Sequence, residues 1–274
     1  MVPRLDLPVA VAADPQQSSL NPLPCRRSSP RLSEAANEKA CMTKSQASFK
    51  APPRKYQPKG LTILYEDRDI LVVDKAGGLL TISSETVREN TAYYLLNSYV
   101  RKGNQKSRKR VFIVHRLDRD TSGVLVFAKS EPVKRFLQAE WAGFQKQYYA
   151  VVHGTPPKQA GVITSTLAEN SAHKVYSVRD PKKGKLARTR YRVLKSTATC
   201  SLLEIELLTG RKNQIRVHLS EGGCPVVGDK KYGATKKGPQ RLALHAASLT
   251  LLHPHSKESM TFTAPLPPFF NSLI

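Results

Sequence analysis

The run His115-Arg116-Leu117-Asp118-Arg119-Asp120-Thr121-Ser122-Gly123 sets a carboxylate among arginines and follows it with a tight Thr-Ser-Gly turn. Val124-Leu125-Val126-Phe127-Ala128 then reads as a strand. An aspartate surrounded by cations at a strand start is either an ion-pair anchor or a reactive group kept ionised by its neighbours. Two further segments combine chemistry-bearing side chains. One is Lys146-Gln147-Tyr148-Tyr149-Ala150-Val151-Val152-His153-Gly154; the other is Leu208-Thr209-Gly210-Arg211-Lys212-Asn213-Gln214-Ile215-Arg216-Val217-His218-Leu219, which continues to Gly228-Asp229-Lys230-Lys231-Tyr232-Gly233.

The elements that must position these groups read as α+β. Leu61 to Tyr65 and Ile70 to Val73 form a strand-turn-strand pattern, and order is expected to begin at Leu61. Asn90 and Thr91 are candidate caps of a helix through about Val100, with Ala92, Leu95, Leu96 and Tyr99 at helical spacing. Val133, Phe136, Leu137 and Trp141 mark one face of a second helix. Lys146 to Val152 and Leu202 to Leu208 read as strands, and Ile215 reads as a strand residue that on its own belongs to a core. No GxGxxG or GxxxxGK[ST] loop is present, so there is no nucleotide-cofactor fingerprint.

The chain carries 44 Lys/Arg against 21 Asp/Glu, a net charge of +23. Residues 1–59 hold ten of those cations and four of the acids, which leaves +17 on the remainder. Such a surface favours polyanions through counterion release and steering, which makes nucleic acid the leading partner. Two clusters are candidate RNA contacts. One is the run from Arg101 to Arg110, notably Arg108, Lys109 and Arg110; the other is Lys182-Lys183, followed by Arg188 and Arg190 alternating along one face of a strand. A solvated basic face would look the same.

Cys25, Cys41, Cys200 and Cys224 form no CxxC pair, which argues against zinc sites and disulfide scaffolds, and His253-Pro254-His255 reads as a turn rather than a metal site. No membrane-spanning stretch or secretory signal is found, so a soluble cytoplasmic protein is expected. Residues 1–59, rich in Ser, Pro, Ala and charge, read as a flexible tail, with a transit peptide or a translation start at Met42 as the other readings.

From about Leu61 to Phe269 these motifs, taken in order, resemble the RluA-type family of RNA pseudouridine synthases. The resemblance implies that family's catalytic fold over residues 60–274: a mixed, mostly antiparallel sheet with peripheral helices and a central RNA-binding cleft. It further implies isomerisation of uridine in a structured ribosomal or transfer RNA, with no metal or organic cofactor. Asp118 matches the family's catalytic aspartate, acting as nucleophile or as base toward the sugar. Arg216 matches the arginine that pairs with it, expected to hold both carboxylate oxygens in a fork. Tyr148 matches the tyrosine that stacks on uracil, with removal of the C5 proton as a further role; Tyr149 beside it is the competing assignment. Arg116 matches the residue that fills the gap left by the extruded nucleotide, and Ile215 the apolar floor beneath the base.

His115 and His218 read as structural hydrogen-bonding residues. Two departures from the family pattern stand out: no proline follows Lys75, and Lys212-Asn213 replaces a Thr-His pair. The first 59 residues do not read as the S4-type RNA-binding domain of many relatives, and a monomer is the default. A non-catalytic RNA-binding or ribosome-assembly protein on the same fold, and a metal-dependent nuclease using Asp118, Asp120 and a histidine, are the rival readings.

Overall fold

The computed structural model describes residues 49–274, apart from 84–86, 88, 105 and 234–240. The greater part of the expected tail, including Met42, lies outside the described residues. Ordered packing begins earlier than Leu61. The Phe49 ring meets Tyr65 at 5.4 Å, and the Gln57 amide accepts from the Ile63 backbone and donates to the Pro52 carbonyl. Those polar and prolyl residues carry no hydrophobic period, so pattern reading assigned them to the tail.

The strands are β1 Leu61–Glu66, β2 Ile70–Lys75, β3 Phe112–Ile113, β4 Ser122–Ala128, β5 Gln145–His153, β6 Ala160–Glu169, β7 Val175–Val178, β8 Lys185–Ser196, β9 Cys200–Leu207, β10 Leu244–Leu252 and β11 Ser259–Thr263. They form one sheet in the order β1-β2-β4-β10-β5-β9-β8-β6-β7, with β3 on β4 and β11 on β10. Helices α1 Ala92–Arg101, α2 Glu131–Ala139 and α3 Gln214–Glu221 lie at its periphery. The expected α+β class with a mostly antiparallel sheet is therefore observed.

Every pairing is antiparallel except β4 with β10, where only His245↔Ser122 and Ala246↔Gly123 pair in parallel. At this junction Gly123 has φ 114°, and a Cβ there would sit 2.1 Å from the Ala246 carbonyl oxygen. Only glycine allows the chain leaving Asp118 to join the sheet so closely. Ser122–Ala128 is buried on both faces, which explains its continuous apolar run.

Local signals explain the helices. The Thr91 hydroxyl accepts from the Tyr94 backbone and caps α1, whose buried face is Ala92, Leu96 and Val100. Ser130 caps α2 through the Val133 backbone. Trp141 falls beyond α2, on a 3-10 turn at Glu140–Ala142. Ile215 lies on α3 rather than on a strand. The run Gln-Ile-Arg-Val-His-Leu alternates as a strand would, but six consecutive α3 residues are buried, so no period marks the helix.

Three histidines are held neutral by the fold. Burial pushes His115 down to about 3, helped by Lys146, and pushes His218 and His245 down to about 4. Their neutral rings serve structural bonds: His115 accepts from the Val126 backbone, His218 bonds the Ser165 and Thr189 hydroxyls, and His245 bonds Ser122. Because these pKa values lie below the unfolded value of about 6.5, the unfolded chain binds more protons in the window between. Stability therefore falls as pH drops from about 6.5 toward 4, by about 1–2 kcal/mol per histidine at pH 5. Urea unfolding should show a lower midpoint at pH 5 than at pH 7.5, with a smaller drop in His245→Gln; an unchanged midpoint would contradict this.

Candidate active site

The loop from His115 to Thr121, strand β5 and the start of α3 converge on one cavity of about 270 Å³. Arg116, Asp118, Tyr148, Ile215 and Arg216 all line it, together with Trp141 and Lys146. The resemblance named five site residues from separated segments, and the fold brings all five to one place.

Arg216 is the hub. Its Nη1 donates to Asp118 Oδ2 at 3.0 Å and to Asn213 Oδ1 at 3.2 Å. Its Nε and Nη2 donate to Asp229 Oδ2 and Oδ1, each at 2.7 Å. The expected fork onto Asp118 is thus corrected: the bidentate contact belongs to Asp229, and Asp118 receives a single bond. The reason is direction. The side-on pair, Nε and Nη2, points at the buried Asp229 carboxylate, and of the remaining donors only Nη1 reaches Asp118, where it is shared with Asn213.

Burial alone would lower the Arg216 pKa, but the bonds and charge of Asp229, then of Asp118, push it up. Against its own burial, Asp229 is held below the usual carboxylate range by Arg216 and by the Tyr232 and Lys231 backbone amides. The Arg216 guanidinium also lies over the Tyr232 ring at 5.2 Å. Asp229 is the functional residue that the sequence reading missed. Its segment was singled out, but nothing in its spacing said which cation it would meet.

Asn213, in the left-handed region at φ 53°, closes the arrangement, with Oδ1 on Arg216 and Nδ2 donating to the Tyr232 hydroxyl at 3.1 Å. The Lys212-Asn213 departure therefore supplies a support for Arg216. The other departure, at Lys75, also bears on the site. The Lys75 amine is fully buried and donates to the carbonyls of Ala76, Leu79 and Arg119, so it holds the residue that follows Asp118. Burial pulls this amine down to about 8, opposed by Asp120, Asp118 and Asp74.

Tyr148 faces the cavity, and Tyr149, one residue on, faces away, as strand alternation requires. The Tyr148 hydroxyl makes no hydrogen bond among the described residues. Burial, with the Asp118 charge, raises its pKa and keeps it a phenol. Arg116 is exposed and forms no ion pair with the described residues, free to reach a ligand. Ile215, 4% exposed, presents an apolar wall.

The arginine stripe is placed elsewhere. Arg190 pairs with Glu206, and Arg192 with Glu204, which also bonds Gln147. Gln147 neighbours Tyr148 and Thr189 neighbours Arg190, so these arginines and Arg188 lie on the sheet face opposite Tyr148. The alternation is as expected, but it sends the stripe away from the cavity, with Arg190 and Arg192 in ion pairs. Lys182 and Lys183 sit exposed on a turn at Pro181–Lys183, and Arg108, Lys109 and Arg110 are exposed in the loop after α1.

His253 bonds Asp67 and stands at the start of a turn. Among the described residues no group of three His, Cys, Asp or Glu could hold a metal ion, and no helix is long and apolar enough to cross a membrane. Asp229→Ala should leave a buried guanidinium without its fork and cost about 3–5 kcal/mol. Urea denaturation would measure this, and a loss below about 1 kcal/mol would mean that Asp229 does not anchor Arg216.

The profile of the RNA pseudouridylate synthase family matches residues 69–221, which span the Asp118 loop, β5 and α3. The chain is 37% identical over 225 residues to ribosomal large subunit pseudouridine synthase D of Zymomonas mobilis, covering 76% of this chain and 69% of that one. It is 33% identical over 213 residues to ribosomal large subunit pseudouridine synthase C of Vibrio cholerae, covering 74% and 65%. The solved structure of human RNA pseudouridylate synthase domain containing 4 superposes with a TM-score of 0.65 at 27% identity, covering 77% of this chain and 90% of that one. Fold, motif order and these similarities agree: the chain belongs to the RluA-type family of RNA pseudouridine synthases, enzymes that isomerise uridine within RNA.

Proposed function

We propose that Asp118 is the catalytic carboxylate of this synthase and that Arg216, held by Asp229, sets its position. The observation that carries the reading is the convergence of Asp118, Tyr148, Ile215 and Arg116 on one cavity, with Arg216 donating to Asp118. In the reaction the C1′–N1 bond of uridine breaks, the freed uracil turns, C5 bonds to C1′, and the C5 proton leaves to solvent while N1 gains one. Asp118 serves either as nucleophile toward the sugar or as base for a sugar proton. Both routes need a carboxylate oxygen free for the substrate. Arg216 occupies Oδ2 alone and leaves Oδ1 open.

Tyr148 stacks on the uracil, above the wall formed by Ile215. As a phenol rather than a phenolate it orients the base and passes on the C5 proton instead of seizing it. Arg116 enters the gap left by the extruded nucleotide and so offsets an unstacking cost of a few kcal/mol. The substrate is a structured RNA; the names of the Zymomonas mobilis and Vibrio cholerae relatives favour ribosomal RNA over transfer RNA. Arg108, Lys109 and Arg110 contact its phosphates, with Lys182 and Lys183 as a further basic patch. The enzyme works as a cytoplasmic monomer and needs no cofactor.

Tritium release from C5-tritiated RNA tests the assignment. Asp118→Asn should lower turnover at least about a hundredfold while RNA binding and the urea midpoint stay near wild type. Comparable release by this variant would remove Asp118 from the chemistry. Arg216→Lys loses the planar fork that fixes Asp229 and Asp118 relative to each other, so its kcat should fall about a hundredfold. A near-normal kcat would show that a single point charge suffices.

A further inference from the structure

Trp141, the chain's only tryptophan, belongs to the cavity wall and has no part in the roles assigned above. It is partly exposed, and it is immobilised. The neutral His115 ring lies 4.3 Å away at a 30° tilt, the Phe144 ring meets it edge-on at 5.8 Å, and the Lys146 amine donates to its carbonyl at 2.9 Å. The β9–α3 turn runs beside the indole edge, where even a Cβ on Gly210 would stand at an ordinary contact distance of 3.9 Å from Nε1. The indole N–H has no acceptor among the described residues.

A rigid aromatic ring with an unused donor, at the rim of a cationic cavity, matches what an unpaired nucleobase requires: a surface to stack on and a donor for a base or phosphate oxygen. Lys146 and Tyr148 project from the same face of β5, and the Trp141 ring, on the turn before that strand, lies beside Lys146, whose amine is 5.7 Å from the ring centroid. The target uracil takes the Tyr148 position. The Trp141 ring, in the wall of the same cavity, is then an aromatic surface for a neighbouring nucleotide.

We propose that Trp141 is a second base-binding subsite, which stacks the nucleotide flanking the target uridine and thereby contributes to substrate choice. The proposal rests on Tyr148 and Asp118 holding the target, as argued above. A stacked base contributes roughly a tenfold change in apparent affinity. That change appears in KM, because the flanking nucleotide takes no part in bond breaking.

As the only tryptophan, Trp141 reports directly on its own contact. The full-length Asp118→Asn protein is titrated with in-vitro-transcribed, unmodified large-subunit ribosomal RNA while fluorescence and acrylamide quenching are followed. Filter binding in parallel gives the fraction bound. The expected result is strong quenching at saturation with loss of acrylamide access. In the Asp118-containing enzyme, Trp141→Leu should raise KM about tenfold with kcat changed less than about threefold, and Trp141→Phe, which keeps a ring, should recover much of the loss. Urea midpoints of both variants separate this from damage to the core beneath the indole.

If RNA is bound yet the emission and acrylamide access of Trp141 are unchanged, or if a folded Trp141→Leu keeps the wild-type KM, the subsite is overturned. Failure of the wild-type enzyme to release tritium would instead count against the catalytic assignment, while the fluorescence still decides the stacking.

Discussion

A buried guanidinium must find anions or leave the core, and the site is organised around that constraint at Arg216. A charge of this kind is strongly unfavourable unless its donors are satisfied by matched geometry. Asp229 meets the two parallel donors, Asn213 and Asp118 share the remaining nitrogen, and the Tyr232 ring lies under the cation. The position of Asp118 is thus inherited from Asp229 through one rigid plane. That plane is held on both sides: α3 carries it, and the Gly228–Gly233 turn binds α3 through Ser220 and the Tyr232 carbonyl.

The Asp118 loop is controlled from its other side by the backbone. Gly123 lets β4 meet β10 at a distance no side chain tolerates, and Lys75 gathers three carbonyls from two segments, including Arg119. The absence of a proline after Lys75 leaves this arrangement in place, because the amine rather than a stiff turn ties the segments. Strand β5 lies on the other side of β10, and this brings Tyr148 to the carboxylate. The Asp118 loop is therefore irregular but over-determined, which suits the role proposed for its carboxylate, with one oxygen kept free among cations.

The basic surface divides into two kinds. Arg190 and Arg192 are spent on Glu206 and Glu204 across the strands, on the face turned from the cavity, and contribute to sheet cohesion more than to a polyanion track. Arg108, Lys109, Arg110 and Arg116 keep their exposure near the loop that leads to Asp118. Net charge thus overstates the charge available to RNA, because part of it is already paired within the sheet.

The sequence by itself determined the strand-turn-strand opening, the cap of α1, the run buried in β4, and the order of the motifs that line the cavity, since periods, caps and ordered motifs are local or strictly sequential properties. It placed Asp118, Tyr148, Ile215, Arg116 and Arg216 in one constellation because three motifs occurred in order, not because any spacing revealed a contact. Tertiary structure alone decided the rest. Alternation said that Arg188 and Arg190 share a face, but which face meets the cavity depends on how the strand is laid in the sheet. Residues buried on all sides hid α3 from any period. The fork of Arg216 went to Asp229 because the direction in which a guanidinium points is set only when the helix, the turn and the loop are packed together.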